Sequence, residues 1–311
     1  MLASVSPGLW RAAFASEDGE TLFAAGRYPE ARVAFQHALA TDPDHARAHY
    51  FLAQIQSRSG VCDSALGHME KAVAADRRSI EYRLALASLY GQKTRQAMVL
   101  AAPGWARKWL RALQSAHQLD TTNVEARRRL VQYYLHAPGI GGGDKRKAID
   151  LARASVAVDG IEGRLMLADA LRRAGRPEQS IIEYRAVLER HPGNSGALRG
   201  LGYLFLGRDD FDAARGWFDR ARESSPGDAA NHEALADYFT KRGRDEEAIA
   251  SLREALSLDS SRTAVRMEMA RLYESHGRKE EAIRELESFL RLAPCHAAAA
   301  EARKQLKRLR R

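Results

Sequence analysis

In the stretch from Ser195, apolar and small side chains recur at helical intervals. Leu198, Leu201, Gly202 and Phe205 fall on one face, and Phe211, Ala214, Phe218 and Ala221 form a second stripe. Spacings of three and four residues stack side chains on one face of a helix, so the pattern predicts two helices joined by a short turn. The same pattern then recurs along the chain. Gly26, Tyr28, Ala31, Phe35, Ala38 and Pro43 stand at the same mutual spacing as Asp209, Phe211, Ala214, Phe218, Ala221 and Pro226. Starts at Ala12, Ala46, Ile80, Val124, Ile161, Ser195, Ala229 and Thr263 divide the chain into eight units, six of them 34 residues long. A helix of about fourteen residues is about 21 Å long and marginal by itself in water. Stability must therefore come from stacking each pair on its neighbours.

Small residues mark where the helices of a pair approach: Ala53 with Ala65, Gly202 with Ala214, Ala236 with Ala248, and Ala270 with Ala282. Gly26, Gly60, Gly175, Gly243 and Gly277 occupy the turn between helices, and Pro43, Pro192, Pro226 and Pro294 follow the second helix, where proline ends it. No stretch has the alternation of a strand. This combination of glycine turn, aromatic, alanine, aromatic, alanine and proline resembles the tetratricopeptide repeat over residues 12–296. Arg77, Thr121, Gly160 and Ser260 depart from it at the proline and Ser180 at one alanine. The resemblance implies an all-α fold: a right-handed α-solenoid superhelix of about eight helix pairs, with residues 297–311 as a capping helix. It also implies a concave groove, lined mainly by the first helices, that binds peptides or proteins. The related RNA-reading pentatricopeptide repeat has a longer period, and endings such as Ala255, Leu256, Leu258 and Asp259 are similar to the tetratricopeptide form.

The third and fourth units break the period. Gly91 to Gly104 enlarges the third, where Thr94 to Leu100 is expected to prolong the first helix before a break at Ala101, Ala102, Pro103 and Gly104 and a second helix from near Trp105. Ala137 to Asp144 enlarges the fourth. Both excursions are expected to protrude side by side from the turn end of the array. The Ala-Pro-Gly-Ile-x-Gly-Gly run at 137–143 is similar to one in a group of bacterial, often exported, tetratricopeptide proteins. It is not a nucleotide loop, since Asp144 precedes Lys145 and Arg146 follows it, where glycine and a hydroxyl residue are needed. Glycines here serve positive φ, and Asp144 caps the next helix.

Candidate chemistry is sparse. His45 and His49 stand at helical spacing but read as an exposed helix start rather than a metal site, and Glu246, Glu247, Glu280 and Glu281 suit helix N-termini. Cys62 and Cys295 match no pairing or metal motif and read as small buried side chains, with no disulfide framework. No nucleophile, base or metal set has usable spacing, so neither an enzyme nor a cofactor is expected. The charge of +9 concentrates in Arg303, Lys304, Lys307, Arg308, Arg310 and Arg311, leaving about +3 elsewhere. Leu306 and Leu309 are expected to pack inward while these six face water. The tail lacks the aromatics of single-strand binders.

The groove residues expected from helical projection are Tyr50, Gln54, Arg128, Gln132, Asp169, Arg172, Arg199 and Tyr203, with Glu125, Glu233, Asp237 and Arg271 beside them. Arginine and tyrosine are common interface anchors. The family's clamp for a C-terminal carboxylate needs lysines and asparagines that the first three units lack. The reading is a noncatalytic scaffold for a protein or peptide, the alternative being an adaptor whose basic C-terminal helix meets nucleic acid or anionic membrane. No run is apolar and long enough to span a bilayer. Residues 1–11 read as an extension or signal remnant: Ala13, Phe14, Ala15 has the form of a cleavage site, but Pro7, Gly8 and Arg11 interrupt the stretch. The chain as encoded reads as cytoplasmic, or periplasmic if translation starts upstream.

Overall fold

The computed structural model describes residues 18–97 and 101–311, and every regular element among them is helical. In chain order, the helices are α1 Gly19–Ala24, α2 Tyr28–Thr41, α3 Ala46–Arg58, α4 Cys62–Ala75, α5 Ile80–Gln96 and α6 Ala102–Leu119. They continue as α7 Val124–His136, α8 Lys145–Ser155, α9 Gly160–Arg173, α10 Pro177–Arg190, α11 Ser195–Gly207 and α12 Phe211–Ser224. The series closes with α13 Ala229–Lys241, α14 Asp245–Leu258, α15 Thr263–Ser275, α16 Lys279–Leu292 and the terminal α17 Ala299–Leu309. Odd-numbered helices from α1 to α15 open a pair and even-numbered ones close it. The architecture is an α-solenoid of helix pairs. The cleavage-like stretch and residues 1–11 lie outside the described residues.

First helices start where a polar side chain satisfies a free N–H at the helix start. Ser79 accepts from the Tyr82 N–H at 3.1 Å, Asn123 from Ala126 at 2.9 Å, Asp159 from Glu162 at 3.0 Å and Asn194 from Ala197 at 2.9 Å. Second helices instead often follow an arginine that pairs with a glutamate three residues on, as Arg278 does with Glu281 at 2.9 Å. The turn between them needs one residue with positive φ. Glycine supplies it in five units, for example Gly60 at 80°, and Asp209 takes it in the sixth at 60°. Within pairs the small residues are buried: Ala65, Ala214, Ala236, Ala248, Ala270 and Ala282 have no exposed surface. A Cβ on Gly202 would lie 2.4 Å from the Phe218 ring. Glycine there lets α11 approach α12 closely enough for Phe218 to be fully buried.

Three local expectations are corrected. The fourth unit's excursion does not stand free. The Tyr133 hydroxyl donates to the carbonyls of Ala106, at 3.0 Å, and Gly141, which ties the 3-10 turn Gly139–Gly141 to α6. A Cβ on Gly143 would collide with the Ala137 carbonyl at 1.7 Å, so this glycine serves close approach, whereas Gly142 has φ of 90°. Asp144 caps α8 by accepting from Arg146 and Lys147. In the third unit α5 extends to Gln96, but α6 starts at Ala102, with Pro103 in its first turn rather than before it. Residues 98–100 of the expected extension lie outside the described residues. His49, finally, is 3% exposed. Its Nε2 meets the Pro43 carbonyl at 2.9 Å, so Nε2 carries the proton and Nδ1 accepts from His68 at 2.8 Å.

The largest correction concerns the cysteines. Cys62, at the start of α4, is bonded to Cys295, just past α16, across 233 residues and with 5.5 Å between Cα atoms. The superhelix therefore returns on itself. Gln96, at the end of the lengthened α5, donates to the carbonyls of Cys295 at 3.1 Å and His296 at 3.3 Å, and Gly60 packs on Pro294. No spacing rule links the two cysteines, because small rotations between units, summed over six of them, bring them together.

The glycines of this part of the core make opposite predictions. Gly202→Ala should destabilise the protein by about 1 to 3 kcal/mol through overpacking on Phe218. Gly216→Ala, on the exposed side of α12 with open space around it, should stabilise by about 0.5 to 1 kcal/mol. Urea denaturation followed by circular dichroism measures both.

Candidate functional site

The eight residues expected in the groove all lie on first helices, and most of them are held by side chains of the same or the next first helix or its cap. The Tyr50 hydroxyl donates to Glu81 at 2.7 Å. Arg128 bridges Glu125 of its own helix and Glu162 of the next first helix, each at 2.9 Å. Arg199 reaches Asp228 at 3.0 Å and the Asn231 side-chain oxygen at 2.6 Å. The Tyr203 hydroxyl donates to Asp237 at 2.7 Å, and Arg262 meets Glu233. These contacts form a polar ladder whose rungs join several of the successive first helices. Arg128 with Glu162 and Tyr203 with Asp237 are 34 residues apart. For Tyr203 with Asp237, complementary residues one period apart were the sequence signal, and reading each unit singly missed it.

Burial sets the electrostatics of the ladder. Desolvation, then the carboxylate of Glu81, pushes the Tyr50 phenol well above its ordinary range, and burial beside Asp237 does the same for Tyr203. Both tyrosines stay protonated donors. Asp237 is raised as well, by burial, which outweighs the hydrogen bond from Tyr203 that favours its ionised form. Glu268 is raised by burial and by the charge of Asp237.

Between α9 and α11 a cavity of about 470 Å³ opens. Asp169, Arg172, Arg199 and Tyr203 line it. Asp169 accepts from Arg172 and, at 2.8 Å, from Arg173. The Arg172 guanidinium lies 5.4 Å from the Tyr203 ring centre, and the side chains of Arg172 and Arg199 remain about a fifth exposed. Gly200 allows the approach of α11 to Tyr184, whose ring atoms a Cβ would meet at 2.2 Å. Gln132 lies apart from this cavity, in one of about 380 Å³ with Arg95, Trp109 and His136, and Gln54 in a third of about 310 Å³ beside Cys295. Six of the eight residues thus divide among three cavities, and Tyr50 and Arg128 line none of these.

Among the described residues no group of three or more histidine, cysteine, aspartate or glutamate side chains is placed to hold a metal ion. No described helix is long and apolar enough to cross a membrane. In α17, Leu306 and Leu309 are buried and the six basic residues are exposed. Three of those six are engaged: Arg303 with the Pro294 carbonyl, Arg308 with Glu274 and Arg310 with Glu287.

The raised pKa of Asp237 makes a signed prediction. The folded protein holds this proton more tightly than the unfolded chain, so stability from it is full below the ordinary aspartate pKa and falls as pH rises past it. Asp237→Asn keeps an acceptor for Tyr203 without the buried charge. Its melting temperature should exceed the parent's at pH 7 and match it near pH 3, as thermal melts across that range would record.

Two models described as tetratricopeptide repeat match the sequence, one over residues 165–229 and the other over 22–89 and 240–309, together well over half of the chain. A comparison with curated protein sequences gives no match. Among solved structures, a tetratricopeptide repeat protein from Parabacteroides merdae superposes with a TM-score of 0.62 at 16% identity, covering 82% of this chain and 95% of that one. Yeast Tom70 superposes with a TM-score of 0.61 at 16% identity over 91% of this chain and 58% of its own. At these identities the likeness of the two structures is one of fold. With the matched sequence models and the stacked helix pairs, the conclusion is that this chain belongs to the tetratricopeptide repeat family.

Proposed function

We propose that the protein is a noncatalytic scaffold that holds a peptide or protein segment in its concave groove. The observation that carries this reading is the 470 Å³ cavity between α9 and α11, where two partly exposed arginines and a tyrosine converge on a glycine-lined wall. Arginine and tyrosine offer large contact area and directional hydrogen bonds for little loss of side-chain freedom. The ladder adds preorganisation: rungs between units fix Arg128, Arg199 and Tyr203 before a partner arrives, so binding does not have to order them. Family membership supports protein partners in general, and the identity of the partner is open to experiment.

The basic α17 is the alternative binding element. The ion pairs of Arg308 and Arg310 with Glu274 and Glu287 favour a capping role for this helix. As to compartment, the Cys62–Cys295 bond supports an oxidising environment and hence the periplasmic reading, because disulfides rarely persist in a reducing cytoplasm.

The test is a partner identified by crosslinking mass spectrometry and then measured by calorimetry against two variants. Arg128, Arg172 and Arg199 all changed to alanine should weaken its Kd at least about tenfold, since each lost charge-assisted bond is worth about 1.5 to 3 kcal/mol. Arg262→Ala, which removes a rung away from the cavity, controls for loosening of the array. Equal affinity of the triple variant and the parent would overturn the groove reading.

A further inference from the structure

The seam where the superhelix returns on itself differs in charge from the rest of the groove. Elsewhere most arginines of the groove are matched, Arg128 with Glu162, Arg172 and Arg173 with Asp169, Arg199 with Asp228, Arg262 with Glu233, whereas Arg271 makes no ion pair among the described residues. At the seam, Arg58 and Arg95 are exposed and make no ion pair. Each instead lies against aromatic rings. Arg58 is 5.2 Å from the centre of Tyr28 and 5.7 Å from that of Phe23, and Arg95 is 5.6 Å from Trp109. A guanidinium engaged by a ring rather than by a carboxylate has N–H groups left to donate, and a carboxylate is the acceptor that suits them.

Two cavities meet here. One, of about 310 Å³, is walled by Gln54 and Arg58 from α3, Gln92 from α5, and Cys295 and His296 from the segment after α16. The other, of about 380 Å³, shares Gln92 and holds Arg95. Neither has an aspartate or glutamate in its wall. The nearby Asp63 is already paired with Lys93. Arg95 is close enough to His296, across the seam, to disfavour a second charge there beyond the effect of burial. The first cavity is therefore built from both ends of the array and exists only while they are joined.

We propose that the Cys62–Cys295 bond assembles a binding site for the carboxylates of an acidic peptide, with Arg58 and Arg95 as its charged groups. The proposal rests on the groove reading and assigns this stretch of the groove a ligand chemistry and a redox condition. Closure is a thiol–disulfide exchange with a small disulfide such as oxidised glutathione. One protein thiolate displaces one glutathione, and the second displaces the other from the mixed disulfide. Two protein thiols thereby lose two electrons and two protons, and two molecules of reduced glutathione leave. Reduction separates the wall carrying Cys295 and His296 from the wall carrying Gln54 and Arg58.

The experiment uses fluorescein-labelled hexaglutamate and fluorescence anisotropy at fixed physiological salt, on the full chain equilibrated with oxidised or reduced glutathione. Intact mass with thiol alkylation reports the bond. The oxidised chain should bind the probe, and reduction should weaken binding at least about tenfold. Arg58→Ala with Arg95→Ala, the bond still present by mass, should weaken it by at least about the same tenfold. Should reduction unfold the chain by circular dichroism, the arginine variant alone decides. Free thiols after oxidation, equal binding in both redox states of a folded chain, binding unaffected by the two substitutions, or no binding would each overturn the proposal. Binding that survives them is the signature of the basic α17 or of a diffuse field. The triple variant at Arg128, Arg172 and Arg199 separates the two readings: it should lose the groove partner and keep hexaglutamate.

Discussion

Where α11 crosses α12, Gly202 faces the Phe218 ring at a distance that leaves no room for a side chain, and alanine makes the equivalent contact in the neighbouring units. Close approach of two short helices is what allows each aromatic or leucine on a second helix to be wholly enclosed, as Phe218, Leu252 and Phe289 are. Neither helix would persist alone. Burial between them and onto the next pair supplies the favourable term, and it scales with apolar area removed from water. Polar caps such as Asn123 and Asn194 then decide where each first helix begins, which fixes the register of the stack.

That register has electrostatic consequences. Because successive first helices are offset by one unit, a residue and its counterpart a period later face each other, as Tyr203 and Asp237 do, and Arg128 likewise reaches across to Glu162 on the next first helix. Polar groups that would otherwise line a hydrated wall become part of the scaffold, with burial holding the phenols neutral. What these pairings leave open to solvent is then informative. In the proposed groove the paired but partly exposed arginines of the cavity between α9 and α11, and the ring-backed, unpaired ones at the seam, are positive groups within reach of a partner. The irregular third unit supplies the second set: lengthening α5 carries Arg95 to the face of Trp109 and Gln96 to the segment that bears Cys295.

The helix pair was legible in the sequence because its determinants are local. Glycine turns, prolines past the second helix and apolar residues at helical spacing all act within a few residues, and Leu198, Leu201 and Phe218 are buried as their spacing implies. The irregular units were legible as interruptions, yet the consequences of the interruptions were not. The Tyr133 hydroxyl gathers the carbonyls of Ala106 and Gly141, a link that no local spacing in the sequence indicates. His49 looked like an exposed helix start, whereas the preceding turn folds the Pro43 carbonyl over it. The cysteine pair lay furthest out of reach. Its formation depends on curvature accumulated between Cys62 and Cys295, a global quantity that no local pattern encodes.

That bond also changes the protein as a mechanical object. An open solenoid is a spring: tension on its ends unwinds pairs one after another, since each is held only by its neighbours. Here the covalent link across 233 residues carries the load, so stress applied at the termini bypasses the helices from α4 to α16. Only α1 to α3 and α17 would lengthen. The groove between them keeps its form under a pull that would flatten an open array.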